Sequence, residues 1–250
     1  MLTAERHRLI RDLLKKQDIV NIQELMELTE ASESTIRRDL TQLEHAKFLK
    51  RIHGGAARLQ GKLDEQSVVE KSAKNLQTKM AIAKLAASFV EDGDCIYLDA
   101  GTTVYQMIPY LQQKKIVVVT NSVHHLDALI VGGIKTYLVG GEIKYTTKAM
   151  IGRGAFSSLQ QYRFDKCFMG MNGIHATYGY TTPDPEEAMI KQAAIHLSRE
   201  AYILADESKF NEVSFAEVAA LHEATILTNA IEASTLKALK TKTTVKVVTG

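Results

Sequence analysis

The stretch that decides the fold of the amino-terminal segment is SESTIRRDL at residues 32–40, followed by LKRIHGGA at residues 49–56. Ser32 can cap a helix over residues 33–46, because its side-chain oxygen can accept a hydrogen bond from a backbone N–H of the first turn. Ile36, Leu40 and Leu43 then recur at helical spacing and form one apolar stripe. The stretch therefore predicts an amphipathic helix with a polar outer face.

Two further helices are predicted before this one. Thr3 can cap a helix that runs to about Gln17, and Asn21 with Glu24 resembles a capping box that opens a short second helix. A turn of about three residues, Thr29 to Ala31, then leads into the third helix, which is typical of a helix-turn-helix. Two short β-like runs around Lys50 and Arg51 predict a β-wing after it, so that residues 1–58 form a winged helix-turn-helix domain.

The outer face of the third helix carries hydroxyl and guanidinium groups. Ser and Thr can contact phosphates or bases, and an Arg can take a guanine edge or clamp a phosphate. Residues 35–62 hold seven Lys or Arg and two acids, so the basic charge is local. A solvated charged helix face is the common alternative, but the combination with a basic wing favours DNA binding. The predicted DNA contacts are Ser32, Ser34, Thr35, Arg37, Arg38 and Thr41 on the helix and Lys50, Arg51 and His53 on the wing.

The composition is that of an ordinary globular protein. The chain has 250 residues with 45% apolar and 24% charged residues, which argues against disorder and collagen-like repeats. Cys95 and Cys167 are its two cysteines, and without CxxC spacing they support neither a disulfide framework nor a zinc site. No apolar run has the length of a signal segment or membrane span. We therefore expect a cytoplasmic protein with no metal, no cofactor and no membrane partner.

The pattern changes near residue 60. Residues 59–73 are polar with little periodicity and are predicted to form a linker. After Lys74, short β-like runs alternate with amphipathic helical stretches, which predicts an α/β domain with a largely parallel sheet over residues 74–250.

A strand, a tight loop and a helix follow one another between Cys95 and Leu111. The strand ends in Asp99, and Gly101 then allows the backbone to approach a ligand closely while Thr102 and Thr103 add hydroxyl donors. The spacing is not that of a Walker loop. The segment predicts a phosphate cradle, with a plain helix cap as the alternative.

Glycine, asparagine or acidic residues follow the later predicted strands as well. Ligands of open α/β sheets gather at the carboxyl ends of strands, so these residues together predict a site for an anionic polyol. Carboxylates can bind sugar hydroxyls and lysines can neutralise a phosphate, although any one of these residues alone is better explained by capping or a solvated surface. The predicted effector contacts are Asp99, Gly101, Thr102, Thr103, Asn121, Gly140, Gly141, Gly170, Asn172, Glu186, Lys191, Asp206 and Lys209.

The motifs at residues 32–40 and 49–56 resemble those of the DeoR family of bacterial transcriptional repressors. The runs at 99–103, 120–121, 140–141, 170–173 and 206–209 are similar to the effector domain of that family. The resemblance implies a carboxy-terminal domain with the fold of ribose-5-phosphate isomerase and its sugar-phosphate-binding relatives, which senses a ligand without turnover.

Within the family, YLDAGTT (97–103), QYRFDK (161–166) and GYTTPDPEEA (179–188) look most like the fructose-operon repressors of Gram-positive bacteria. That likeness implies fructose 1-phosphate as inducer and fructose-utilisation genes as targets. The residue pattern by itself does not separate fructose 1-phosphate from other hexose phosphates.

The sequence thus predicts a repressor that binds operator DNA and is released by a sugar phosphate. One winged module rarely gives enough affinity, so a homo-oligomer, dimer or tetramer, is expected to span paired half-sites. The linker is the natural candidate for coupling the two sites. The alternative is a phosphosugar isomerase-like enzyme with an accessory DNA-binding head, since carboxylates beside a phosphosugar can transfer protons. Activation at some promoters is a third possibility.

Overall fold

The structure is a computed structural model that describes residues 1–17, 19–46, 48–52, 54–58, 61, 63 and 65–248. The chain divides into two compact units, Met1–Gly61 and Lys62–Gly250. None of the helices in the described ranges is long and apolar enough to cross a membrane.

The first unit combines three helices with a small sheet. Its elements are α1 (Thr3–Lys16), β1 (Ile19–Asn21), α2 (Ile22–Thr29), α3 (Glu33–His45), β2 (Leu49–Ile52) and β3 (Gly55–Arg58). Among the described residues the strands pair antiparallel in the order β1-β3-β2. Ile36, Leu40 and Leu43 of α3 are buried against Ile10 and Leu25 of the first two helices. The predicted three helices and wing are therefore confirmed, whereas β1 was not predicted.

Two of the three helix caps that the sequence predicts in the first unit are present in the structure. The side chains of Asn21 and Ser32 accept hydrogen bonds from the backbone N–H groups of Glu24 and Thr35, as predicted. The prediction that Thr3 caps α1 is wrong, because Thr3 is already helical and the cap position is Leu2. A leucine has no acceptor to offer, and the Glu5 carboxylate instead accepts the N–H of Leu2 at 2.9 Å.

The second unit is built on a parallel sheet, as predicted. Its strands are β4 (Cys95–Leu98), β5 (Val117–Thr120), β6 (Lys135–Leu138), β9 (Phe164–Gly170), β12 (Ser198–Leu204), β14 (Thr225–Thr228) and β15 (Val245–Val247). In the described part of the chain these seven strands are parallel, in the order β15-β14-β12-β9-β4-β5-β6. Apolar side chains cover both faces, as a fully buried parallel sheet requires.

Helices and two small antiparallel sheets surround this sheet. The helices are α4 (Val68–Ala73), α5 (Leu76–Ala87), α6 (Thr102–Tyr105), α7 (Leu126–Val131), α8 (Gly152–Leu159), α9 (Pro185–His196) and α10 (Ala233–Lys240), with 3-10 helices at Ile108–Tyr110, Val123–His125, Glu207–Lys209 and Leu221–Glu223. The remaining strands are β7 (Glu142–Lys144) and β8 (Ala149–Ile151), which pair together, and β10 (Gly173–His175), β11 (Gly179–Thr182) and β13 (Ala216–Ala219), which form the other sheet.

The order of the strands reverses between β4 and β9. From β4 the chain proceeds outward through β5 and β6, and it then returns to the opposite side of β4 to build β9, β12, β14 and β15. In open parallel sheets the crevice at such a switch point, at the carboxyl ends of the strands, is where ligands bind. Leu98 pairs with Phe168, and Leu204 pairs with Gly170, so the ends of β4, β9 and β12 lie side by side.

The segment predicted as a linker, residues 59–73, contains a helix. Residues 59, 60, 62 and 64 lie outside the described residues, but Val68–Ala73 form α4. The side chain of Ser67 caps it by accepting the N–H of Glu70, Val68 is buried, and α4 packs against α6. This part of the segment is thus an ordered portion of the second unit.

Candidate DNA interface and effector site

The outer face of α3 presents polar side chains to solvent. Ser34 and Arg38 are exposed and Thr41 is half-buried, while Ile36 and Leu40 lie in the core. In the described part of the unit, the side chain of Arg38 forms no hydrogen bond or ion pair. Its guanidinium is therefore available to a base edge or a phosphate.

The amino-terminal end of α3 gathers three hydroxyl groups. The Ser32 hydroxyl lies 3.0 Å from the Ser34 hydroxyl and 2.9 Å from the Thr35 hydroxyl. A helix N-terminus attracts anions, and these hydroxyls add donors for a phosphate. Arg37 is paired with Glu33 at 2.7 Å, with both side chains exposed. Such a surface pair contributes little in water, so a DNA phosphate can replace Glu33 at modest cost.

The wing is fastened to α3 by Arg51. Its backbone N–H donates to Glu44 at 2.8 Å, and its Nη1 donates to the Thr41 hydroxyl at 2.9 Å. Arg51 and Thr41, both predicted DNA contacts, thus also fix the wing on the helix. Lys50 is exposed on β2, and the predicted contact His53 lies outside the described residues.

The structure shows why the second glycine of the HGG motif, Gly55, must be a glycine. A Cβ at this position would lie 2.1 Å from the carbonyl oxygen of Val20 on β1. No side chain can be accommodated at that distance, so the close pairing of β3 with β1 requires glycine.

Asp39 is a residue of the TIRRDL motif whose role the sequence reasoning missed. It is 2% exposed, and its carboxylate contacts Arg6 Nε at 2.7 Å and His7 Nε2 at 3.1 Å, which joins α3 to α1. The signal was available, because Asp39 follows Ile36 by three residues and therefore faces the apolar stripe. Asp39 therefore holds α3 against α1.

At the switch point, Asp99 joins the ends of β4 and β9. Its Oδ2 accepts from the Gly170 N–H at 2.9 Å and from Lys191 Nζ at 2.6 Å, and Lys191 Nζ also donates to the Gly170 carbonyl at 3.0 Å. Gly101 approaches so closely that a Cβ on it would lie 3.2 Å from Gly170 Cα. Four predicted effector residues are therefore in one place, and two of them form a buried ion pair.

The Gly101 loop opens only a short helix. Gly101 is the cap of α6, which is four residues long, with Thr102 half-buried and Thr103 buried in its first turn. So short a helix contributes little macrodipole. An anion at this loop therefore needs further positive charge from nearby side chains.

Lys79, which the sequence reasoning did not select, supplies such a charge. It is 4% exposed on α5, and its Nζ donates to the carbonyl of Lys71. Burial lowers the pKa of Lys79, with Asp206 opposing the effect. Within the described residues Lys79 has no ion pair with a carboxylate, and a buried ammonium without one is costly. Its place among Ile82, Ala83 and Ala86 on the apolar side of α5 was the available signal.

Lys209 and Asp206 complete this cationic group. Burial lowers the pKa of Lys209 also, and the nearby Asp206 again opposes the shift. Asp206 is buried at the end of β12, where its carboxylate accepts the N–H of Ser208 at 3.0 Å. Asp206 thus acts on both Lys79 and Lys209, Glu212 adds a smaller effect on Lys209, and Lys71 and Lys74 add positive charge. The local excess of positive charge fits a bound anion.

The other predicted effector residues hold loops or lie farther along the edge. The Asn121 amide oxygen accepts the Ala100 N–H at 3.1 Å, and Asn172 Oδ1 accepts the Thr182 hydroxyl at 3.0 Å. Gly140 and Gly141 follow β6, where a Cβ on Gly141 would lie 2.7 Å from the Ile151 carbonyl. Glu186 is exposed at the start of α9. The contacts therefore give Asn121, Asn172 and Gly141 positioning and packing roles.

Three buried polar atoms near the strand ends have no hydrogen-bond partner within the described residues: Tyr97 Oη, Ser122 Oγ and His125 Nε2. Burial, with a smaller contribution from His124, lowers the pKa of His125 to about 3. His125 is therefore neutral at physiological pH. In the same described ranges, no three His, Cys, Asp or Glu side chains are grouped as a metal site requires.

Two family models match the chain, one for each unit. Residues 6–62 match the DeoR-like helix-turn-helix domain, and residues 74–230 match the DeoR C terminal sensor domain. Among curated proteins, the uncharacterized HTH-type transcriptional regulator FruR of Bacillus subtilis is 55% identical over 99% of both chains. The lactose phosphotransferase system repressor of Staphylococcus epidermidis is 34% identical over 86% of both.

Among solved structures, ribose 5-phosphate isomerase A of Methanocaldococcus jannaschii is similar to part of the chain. The TM-score is 0.42 with 19% sequence identity, and 55% of each chain is covered.

Proposed function

The chain belongs to the DeoR family of DNA-binding transcriptional repressors, and from that premise we propose that it represses a fructose-utilisation operon and leaves its operator when a sugar phosphate, fructose 1-phosphate, binds the second unit. The family resemblance drawn from the TIRRDL and HGG motifs is thereby confirmed. The operon and the ligand are the part that we propose.

The polar face of α3 supports the assignment of operator contacts. Arg38 is free to read a base, and the Ser32 hydroxyl cluster with Arg37 suits a phosphate. Lys50 and Arg51 on the wing are suited to contact phosphates of the adjacent DNA backbone. One such surface gives limited affinity, so we propose that two or four copies assemble on paired half-sites.

The observation that carries the effector proposal is the buried Lys79 beside Lys209 at the strand ends. Within the described residues neither Lys79 nor Lys209 forms an ion pair with a carboxylate, and a phosphate dianion would give both ammonium groups such a partner and lower the cost of their burial. The Gly101 backbone and the Thr102 hydroxyl lie at the same edge of the sheet, and Asp206 can accept hydrogen bonds from sugar hydroxyls. This donor set fits a phosphorylated sugar better than a neutral sugar.

Two observations favour fructose and sensing without turnover. The relative that is 55% identical is named a transcriptional regulator, FruR, and the Staphylococcus epidermidis relative is named a repressor. The Asp99 carboxylate is already occupied by Lys191 and the Gly170 N–H, which suits a structural role better than proton transfer. We propose accordingly that the protein is a cytoplasmic sensor and not an enzyme.

A thermal-shift screen of the full-length protein tests the ligand. Fructose 1-phosphate at 100 times its dissociation constant should stabilise the protein by about 2.7 kcal/mol, whereas fructose should have no effect. Fructose 6-phosphate, ribose 5-phosphate and inorganic phosphate complete the panel. Stabilisation by none of the phosphates would contradict the effector proposal, and conversion of a bound phosphosugar to its isomer would support the enzyme alternative.

A further inference from the structure

Residues 65–74, here called the strap, are held on the second unit by a buried carboxylate. The Glu65 side chain is 7% exposed, and its two oxygens contact Lys71 Nζ at 2.9 Å and Lys144 Nζ at 2.5 Å. Burial by itself would raise the pKa of Glu65, but the two lysines hold it below its ordinary value. Glu65 is therefore ionised and firmly docked.

Two further hydrogen bonds fix the strap, and one of them comes from the candidate effector site. The Val68 N–H donates to the Thr146 carbonyl at 2.9 Å, and Lys79 Nζ donates to the Lys71 carbonyl. The helix of the strap, α4, also packs against α6, which follows the Gly101 loop. The lysine proposed to hold the phosphate is thus also a point of attachment for the strap.

The anchor Lys144 is connected to the switch point through α9. Besides Glu65, it contacts Asp184 at 2.8 Å and Glu187 at 3.3 Å. These acids raise the pKa of Lys144 against the effect of burial. Lys191, which follows Glu187 by one helical turn, binds Asp99. The ion pairs of Lys144 with Glu65 and Glu187 and that of Lys191 with Asp99 are thus joined by one turn of α9, which connects the strap to the ends of β4 and β9.

The strap carries positive charge close to the site lysines. Burial lowers the pKa of Lys79 and Asp206 raises it, and the positive charges of Lys209, Lys71 and Lys74 lower it further. Lys71 and Lys74 lower the pKa of Lys209 as well. Like charges in a poorly solvated region repel. Without an anion, the positive charges of Lys71 and Lys74 on the docked strap repel those of Lys79 and Lys209. A dianion bound by Lys79 and Lys209 would instead attract the lysines of the strap.

We infer that the strap is the ligand-responsive element of the protein: an anion held by Lys79 and Lys209 tightens its docking, and release of the anion loosens it. The inference rests on the proposed sugar-phosphate site. Because the strap begins four positions after the last residue of the first unit, it is a segment through which occupancy can reach the DNA-binding residues. Coupling is reciprocal, so loosening the strap must weaken ligand binding by the same factor.

Hydrogen exchange of the full-length protein tests this inference. Peptides that cover residues 65–74 are compared with and without fructose 1-phosphate, at a concentration where calorimetry shows the site to be full. We expect the Val68 and Lys71 amides to exchange at least about fivefold more slowly with ligand, the lower end of ordinary coupling. If hydrogen exchange in the strap does not change when the effector site is full, the inference about the strap is wrong and the proposed function still stands. Absence of binding by any phosphosugar would overturn both.

Three variants provide matched arms. Glu65→Gln should speed exchange in the strap and weaken fructose 1-phosphate binding at least about fivefold, whereas the exposed Glu142→Gln on β7 should change neither. The exposed Lys74→Ala keeps all three attachments, and it should slow exchange in the free protein and shrink the gain from ligand. Equal ligand affinity in the wild type and Glu65→Gln, or a full ligand response in Lys74→Ala, would contradict the inference.

Discussion

At the residue scale, the charged groups that join separate parts of the fold are buried, and the pattern of surface residues in the sequence does not reveal them. Asp39, Lys79 and Glu65 are each at least nine-tenths buried at the side chain or residue level, and each joins two elements. A buried ion is tolerated only with partners, so each must be explained by what it binds. Asp39 and Glu65 have cationic partners, whereas in the described part of the chain the hydrogen bond of Lys79 Nζ goes to a carbonyl oxygen.

Replacing Asp39 by Asn should destabilise the first unit. The change leaves Arg6 beside a neutral group and removes a buried pair, which costs about 3 kcal/mol. Urea unfolding followed by hydrogen exchange of peptides from residues 1–61 measures the loss. The exposed Asp12→Asn on α1 is the control and should leave exchange unchanged. Equal stability of the two variants would contradict the structural role of Asp39.

His125 should make the second unit sensitive to acid. Its pKa is about 3 in the folded protein, whereas an unfolded histidine titrates near 6.5. Above about pH 6.5 both states are neutral and stability is complete; below it the unfolded state gains a proton that the folded state refuses. Stability should therefore fall by about 1.4 kcal/mol per pH unit from this group alone.

Comparison with His125→Gln isolates this contribution. Between pH 6.5 and 5 the wild type should lose about 2 kcal/mol more of its unfolding free energy than the variant, as measured by urea titration at each pH. Parallel pH profiles for the two proteins would show that His125 is not buried in its neutral form.

At the scale of elements, the tight pairing of β3 with β1 has one vulnerable position. Gly55→Ala places a methyl group against the Val20 carbonyl, and such overpacking costs about 1 to 3 kcal/mol. The strands must separate, so the amides of β1 should exchange faster and operator affinity should fall.

Gly54→Ala is the matched control for this change. Gly54 has a φ of +80°, but a Cβ there meets nothing within 4 Å. It should therefore strain the turn without separating β1 from β3. Faster exchange of β1 in Gly54→Ala and not in Gly55→Ala would contradict the account.

The sequence predicts correctly those elements whose determining residues lie close together along the chain. The Asn21 and Ser32 caps and the Ile36 stripe of α3 lie within a few residues of the groups that they serve. β1 is three residues long, which is too short to show the alternating pattern of apolar and polar residues typical of a strand. Its partner, β3, is far along the chain. The cap at Thr3 failed because Leu2 begins the helix and Glu5 provides the acceptor. Helix α4 was missed because its apolar contact is a single buried valine.

The candidate site divides in the same way. Gly101, Gly170 and Asp206 could be predicted because every one of them lies at or just after the end of a strand, and parallel strands end at one edge. Lys79 precedes its strand on a helix, so only the fold brings it to Asp206. Glu65 and Lys144 are separated by 79 positions, and no local pattern connects them.

At the scale of the whole molecule, one chain carries a DNA-binding unit and a sensor unit. The central claim is that filling a cationic site at the strand ends releases the operator. Lys79 and Arg38 belong to different units, so their variants separate the two halves of the claim. Lys79→Met should keep operator affinity and lose the response to ligand, and Arg38→Ala should weaken operator binding by about 1 to 3 kcal/mol while leaving ligand binding unchanged.

Titration of operator DNA with the full-length protein, with and without saturating fructose 1-phosphate, tests this claim most directly. The fragment is selected from genomic DNA by binding to the protein and followed by fluorescence anisotropy at fixed salt. We predict that the ligand raises the apparent dissociation constant of the wild type at least about fivefold and does not change that of Lys79→Met. Superimposable wild-type curves with and without a phosphosugar that demonstrably binds would contradict the account.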